Sequence, residues 1–442
     1  MRIYFASLVI AGCSSTGATV TPDSQSSSDA PVHPDAPLPS PDAPQLTGMP
    51  CPTGVSEVAR ITAANVHPDD RGFYGRTYKQ GPYTRDAEGD GKADVLAAEY
   101  VYGTVGAYQY RIRLFVQGTS GFAAPVTSAL TFPGSGPTFN AVGDFNGDHR
   151  LDVMFGWESE SPSRHSYVYV ATQNLDHTFT LQASVNLSAC GSSSDERLMA
   201  SAILDVDRDG KDDFLTTVSY GGLGAKPAGM ALLRGGTTNL GSAQCEVSAT
   251  VTTHPGFPPA FTTATALYAA DYDGDGNTDL VMSSPQDQLQ YFNTTAASTF
   301  VAVPGTAARP TWRVTYATPK GLVNADIKTT GTDVNRFSVG AGGVTAHAVA
   351  TLPEAGDGFG LLDGVVVGDL NGDGQTDVLV VGNHSTAPNP FAATCDRGSA
   401  WPVVTGSFAG SVRDLRPIDV NGDGRTEILA NEGADLVIYA VQ

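Results

Sequence analysis

The chain has 442 residues, 41% of them hydrophobic, which is enough for a large core. With 46 acidic against 25 basic residues the formal net charge is −21, a balance that repels nucleic acid and anionic lipid surfaces and attracts cations. Gly (50) and Pro (28) are abundant, and the apolar residues come in short β-branched runs between turn residues, the pattern of an all-β repeat architecture.

At the N-terminus, Met1-Arg2 and the apolar run Ile3 to Ile10 end in Val9-Ile10-Ala11-Gly12-Cys13-Ser14. This resembles a bacterial lipoprotein signal, with residues 1–12 removed and Cys13 lipidated. In such signals Ser14, in place of Asp, implies the outer membrane or cell surface. Residues 13–50 are rich in Ser, Pro, Asp and Ala, with Asp-Ala-Pro repeated at Asp29, Asp35 and Asp42. So little apolar surface cannot offset the entropy of ordering. The segment reads as a disordered tether reaching roughly 35 Å as a coil and over roughly 100 Å as polyproline II.

From residue 86 one acidic motif returns six times. Its copies are Asp86-Glu88-Asp90-Gly91-Asp94, Asp144-Asn146-Asp148-His149-Asp152, Asp205-Asp207-Asp209-Gly210-Asp213, Asp271-Asp273-Asp275-Gly276-Asp279, Asp369-Asn371-Asp373-Gly374-Asp377 and Asp419-Asn421-Asp423-Gly424-Glu427. Ca²⁺ takes six to eight oxygens in a flexible shell. Side chains at positions one, three and five converge if position six turns sharply, which favours Gly. Position seven offers a carbonyl, and the acid at position nine is expected to close the shell. An EF-hand instead closes at position twelve and enters a helix. Here the closing acid leads into strand residues such as Val378-Leu379-Val380-Val381, so each loop joins two antiparallel strands. About six Ca²⁺ ions are expected, with His149 the least favourable turn residue of the set.

The motif starts are 58, 61, 66, 98 and 50 residues apart. Midway in the long gap, residues 325–334 carry Asp326 and Asp333 with Lys328 at a ligand position. This reads as a seventh unit whose strand–turn–strand survives without metal. After the loops come further strands, Arg111 to Val116 leading to Gly121-Phe122, Tyr167 to Val170 to Thr178-Phe179, and Leu289 to Phe292 to Thr299-Phe300. Together these features resemble the FG-GAP and VCBS repeats of integrin α-subunit heads and bacterial surface proteins. The resemblance implies four-stranded blades around a channel, with Ca²⁺ in the loops between first and second strands.

Seven units imply a seven-bladed β-propeller over residues 52–442. The last unit supplies only three strands, so Ser56 to Thr62 is expected to complete it and close the ring, removing open edges. Apart from Cys13 there are four cysteines, Cys51, Cys190, Cys245 and Cys395, and export makes two disulfides the expectation. Three pairings exist, and ring order favours Cys51–Cys395 with Cys190–Cys245, although the latter two fall at opposite ends of a blade in this strand reading.

The second-to-third loops, on the face opposite the acidic loops, carry Tyr100, Tyr102, Tyr108, Trp157, His165, Tyr220 and Asn383-His384. Such aromatics stack on sugars or anchor proteins, or pack on the blade edges. No nucleophile elbow, His-Glu-x-x-His zinc site or phosphate loop occurs. The expectation is a calcium-stabilised, lipid-anchored adhesion or binding module: a monomeric head for a protein or glycan, with no nucleic-acid partner. A polysaccharide lyase or hydrolase on the same scaffold is the alternative.

Overall fold

The computed structural model describes residues 50–62, 80–85, 87, 92–101, 107–118, 121–133, 139–158, 166–187, 196–220, 226–242, 244–247, 266–283, 288–295, 299–308, 313–318, 321–328, 331–353, 364–381, 388–397, 401–433 and 435–442. The signal call at 1–12, Cys13 and all of the tether call at 13–50 except Pro50 lie outside these residues.

The chain opens with β1 (Val55–Ile61), and seven antiparallel blades follow. Blade one holds β2 (Gln80–Arg85), β3 (Asp94–Val101), β4 (Ala107–Phe115) and, after the small hairpin β5 (Gln117–Gly118) and β6 (Gly121–Phe122), β7 (Val126–Pro133). Blade two holds β8 (Phe139–Gly143), β9 (Asp152–Glu158), β10 (Ser166–Gln173) and β11 (Phe179–Leu181), with β12 (Val185–Asn186) also on β10. Blade three is β13 (Glu196–Leu204), β14 (Asp213–Tyr220), β15 (Lys226–Leu233) and β16 (Gln244–Val247). Blade four is β17 (Ala266–Ala270), β18 (Asp279–Ser283), β19 (Gln288–Thr295) and β20 (Thr299–Ala308). Blade five is β21 (Arg313–Thr318), β22 (Gly321–Lys328), β23 (Gly331–Gly340) and β24 (Gly343–Pro353). Blade six is β25 (Val365–Gly368), β26 (Asp377–Val381), β27 (Asn389–Thr394) and β28 (Val403–Phe408). Blade seven is β29 (Arg413–Ile418), β30 (Glu427–Glu432) and β31 (Asp435–Val441), with β1 as its outer strand.

The second strands explain the packing. Side chains alternate across a strand, and in a ring each face meets a neighbouring blade. On β26, Leu379 and Val381 pack with blade seven, while Val378 and Val380 pack with blade five. On β30, Ile428 and Ala430 face blade six and Leu429 faces blade one. A strand buried on both faces reads as a continuous apolar run, and β18 and β26 are buried at every residue. Each of the seven junctions has its own apolar cluster. The junction of blades seven and one joins Ile418, Leu429 and Ile438 to Val95, Ala97 and Phe115, so the ring is closed.

Closure works as the unfinished last unit predicts. β1 pairs antiparallel with β31, from Val55 opposite Val441 to Ile61 opposite Leu436. Beyond the ladder, the Thr53 and Gly54 amides donate to the Gln442 carbonyl at 2.7 and 3.1 Å, and the Gln442 amide donates to the Gly54 carbonyl at 2.8 Å. Cys51 forms a disulfide with Cys395, which follows β27 in blade six. Cys190 lies outside the described residues, and Cys245 is on β16.

Two sequence expectations are corrected. Gly121-Phe122 is not the outer strand of blade one; it is half of the β5–β6 hairpin, and Val126–Pro133 takes the outer place. The seventh unit exists as blade five, but residues 325–334 are not its first-to-second loop. They run from β22 into β23, the second-to-third hairpin, where Asp326 stands opposite Asp333 in the ladder. The true first-to-second connection is the residue pair 319–320, too short for a nine-residue loop.

Candidate metal centres

Each acidic loop leaves the first strand of a blade and enters the second. The position-one aspartate is the hub. Both oxygens of Asp271 accept backbone N–H groups, Oδ1 from Gly274 (2.8 Å) and Asp275 (3.1 Å), Oδ2 from Gly276 (3.0 Å). The same three bonds form on Asp144, Asp205, Asp369 and Asp419. Position five then accepts from position seven, as when Asn277 donates to Asp275 at 2.8 Å. These bonds curl the loop so that the side chains at positions one, three and five face one point.

This curl needs left-handed backbone twice, at position six, which the sequence reading assigned, and at position four, which it missed. Position six is His149 (φ 61), Gly210 (φ 82), Gly276 (φ 85), Gly374 (φ 76) or Gly424 (φ 83). Position four is Gly147, Arg208, Gly274, Gly372 or Gly422, all at positive φ. The glycine at position four in four of these five loops was the available signal.

In the third loop Asp205, Asp207 and Asp209 each offer a carboxylate oxygen, all within 4.8 Å of one another, and Asp271, Asp273 and Asp275 do the same in the fourth. In the loops that begin at Asp144, Asp369 and Asp419 position three is asparagine, and Asn146, Asn371 and Asn421 touch Asp148, Asp373 and Asp423 at 3.0, 3.1 and 3.0 Å. Basic side chains also reach these oxygens. Arg234 lies 2.6 Å from Asp207, Lys211 pairs with Asp209, and Arg150 with Asp148. Of the first loop, Asp86, Glu88 and Asp90 lie outside the described residues, and only Asp94 is placed.

The acid at position nine stands behind the clusters rather than within them. Asp94, Asp152, Asp213, Asp279, Asp377 and Glu427 are all buried. Asp279 Oδ2 accepts the Tyr272 amide (3.2 Å) and Oδ1 the Thr294 amide beyond the loop (2.7 Å). Asp94 is held likewise by Ala87 and Gln117, Asp213 by Val206 and Gly235, and Asp377 by Leu370 and Asp396. Burial raises these carboxyls from an ordinary 3.8, Asp152 and Asp377 to about 8, Asp213 to about 7 and Asp279 to about 6. Burial also raises Asp144, Asp205, Asp273, Asp369 and Glu427.

These sites fit a hard cation. The donors are oxygens, carboxylate and amide, and buried polar atoms are seldom left unpaired. Yet the position-seven Asn277 Oδ1 is buried without a hydrogen-bond partner among the described residues.

Four of the residues expected on the opposite face are placed in strands rather than in loops. Tyr100, Tyr108 and Trp157 lie one residue inside the ends of β3, β4 and β9, and Tyr220 ends β14, beside the second-to-third connections. Tyr102, His165, Asn383 and His384 lie outside the described residues.

Comparison with known families agrees with the loops. An FG-GAP-like repeat matches residues 86–155, which span the first two acidic loops, and an FG-GAP repeat matches residues 263–299, around the fourth. In these two stretches the chain carries FG-GAP repeats. No curated protein matches it significantly. Among solved structures, a glucose dehydrogenase is 13% identical with a TM-score of 0.35, covering 88% of this chain and 99% of that one. Apo AztD from Citrobacter koseri is 14% identical with a TM-score of 0.36, covering 76% and 88%. Neither likeness is close enough to inform the chemistry of the FG-GAP loops.

Proposed function

We propose that this propeller is a calcium-stabilised binding or adhesion head, held at the cell surface by an N-terminal lipid, that recognises a protein or glycan. The observation that carries the calcium reading is the convergence of three carboxylates within 4.8 Å in each of two loops. An all-oxygen, flexible donor set favours Ca²⁺ over softer metals. The full sets at Asp86, Asp144, Asp205, Asp271, Asp369 and Asp419 would hold about six ions, with the position-nine acids as the inner wall of each shell. Ligand recognition is assigned to the opposite face, where Tyr100, Tyr108, Trp157 and Tyr220 flank the second-to-third connections. The FG-GAP repeats and the Cys51–Cys395 disulfide support an extracellular setting.

At tenfold excess over its dissociation constant each ion contributes about 1.4 kcal/mol, so six contribute on the order of 8, comparable to the whole stability of a typical domain. Chelation is expected to lower the melting temperature sharply, and Mg²⁺, which demands a tighter octahedral shell, to restore little. An unchanged melting curve in chelator, with a metal count near zero in the purified protein, rejects the calcium reading. A glycan array read beside an ultraviolet assay for unsaturated products separates binding from lyase activity.

A further inference from the structure

Neighbouring loops are joined to one another. In the third loop Asp212, at position eight, grips the hub of the second. Its Oδ2 accepts the Asp144 amide at 2.7 Å, and its own amide donates to the Asp144 carbonyl at 2.7 Å. Two consecutive amides beyond β15 extend the clamp. Gly235 donates to the position-nine Asp213 at 2.7 Å, and Gly236 to the Phe145 carbonyl of the second loop at 3.1 Å. The approach is close: a Cβ at Gly143 would stand 2.6 Å from Asp212 Oδ2, and one at Gly147 2.9 Å from Lys211.

The plan recurs between blades six and seven. The position-eight Thr426 amide donates to the Asp369 carbonyl at 2.7 Å, and Arg425 Nε to the Leu370 carbonyl at 3.1 Å. Gly368 provides the room, since a Cβ there would meet Thr426 Oγ1 at 2.3 Å. Between blades seven and one, Gln117 joins the two loops. Its amide holds Asp94 at 2.7 Å, and its side chain donates to the Val420 carbonyl. Gln117 thus holds a position-nine acid and position two of the preceding loop together, while Asp212 and Thr426, each one residue before a position-nine acid, hold position one of the preceding loop.

We infer that the ion sites fill as coupled sets, the site at Asp144 with that at Asp205, and the site at Asp369 with those at Asp419 and Asp86, and that Asp212 is the positioning residue of the first set. This rests on the calcium reading. An ion in the third loop orders residues 205–213. Asp212 is thereby fixed, and with it the Asp144 backbone whose carboxylate organises the second loop. Coupling is reciprocal, so an ion in the second loop favours one in the third. Among the described residues no such clamp joins blade five, whose first-to-second connection is two residues, to the fourth loop.

The test is a calcium titration of the full chain, read by hydrogen exchange in peptides covering residues 144–152 and 271–279. Emptying the third loop with Asp207→Ala and Asp209→Ala is expected to move the protection midpoint of 144–152 to about fivefold higher calcium or more, the lower end of ordinary coupling, and to leave that of 271–279 in place. With Asp212→Ala in the background, the same emptying moves nothing further. Asp212→Asn, which keeps an acceptor for the Asp144 amide, restores the shift. An equal midpoint for 144–152 with and without an intact third loop overturns the coupling while leaving the ions. No calcium-dependent protection in either peptide overturns the ion reading, and the coupling with it.

Discussion

At the scale of single residues, the acidic loops hold opposing demands. The position-nine carboxylates are buried beside other acids, and burial lifts four of them to between about 6 and about 8. In the unfolded chain they ionise near 3.8. Across that window the ion-free folded state holds protons that the unfolded state has released. Its stability from this source is full below the unfolded value and is lost as pH rises through the folded ones. In chelator the melting temperature is therefore expected to rise as pH falls from about 8 to about 6. In saturating calcium the dependence should flatten or reverse, because protons then compete with the ion. Scanning fluorimetry under both conditions checks this, and parallel curves would contradict it. The loop glycines act through backbone alone. Gly276 has φ 85 and open space around an added Cβ, so Gly276→Ala should cost about 1 kcal/mol without a clash, measurable by denaturant unfolding.

At the scale of elements, β1 and its disulfide close the ring from outside. The Cys51–Cys395 bond spans 344 residues, and a cross-link over so long a loop contributes about 2–5 kcal/mol. The paired change Cys51→Ser and Cys395→Ser should lose that much. It should also raise exchange in β1 and β31 first, as the β31 edge becomes open to pairing. Equal exchange loss in every blade would refute β1 as the weak point. The sequence reading found β1 because it alternates and because the last unit was a strand short. It also found the five acidic loops that lie among the described residues, whose fixed spacing is visible as pattern. Second strands such as β26 were legible because both faces are buried. Blade five was misread because nothing chemical marks its two-residue connection, while Asp326 and Asp333 imitate a loop across a hairpin. The outer strand of blade one was misplaced because outer strands are half exposed, and Gly121-Phe122 looked like Thr178-Phe179.

At the scale of the molecule, charge and topology dominate. The six motifs, with Asp212, hold 22 of the 46 acidic residues, and six divalent ions would bring the net charge from −21 to −9. Without ions these carboxylates repel across one face. Added sodium chloride should then recover part of the melting temperature in chelator, since roughly 0.15 M salt screens beyond about 8 Å. With calcium bound it should change little, and an equal salt response in both states would argue against repulsion as the cause. The closure has a consequence in time. Ser56 and its partner Gln442 are 386 residues apart, so the earliest of the described strands is completed by the latest. At ordinary elongation rates that interval is on the order of tens of seconds. For that time β1 has no partner, and the first and seventh blades lack their shared wall. The ring therefore closes only after β31 has been made, whatever order the blades between take.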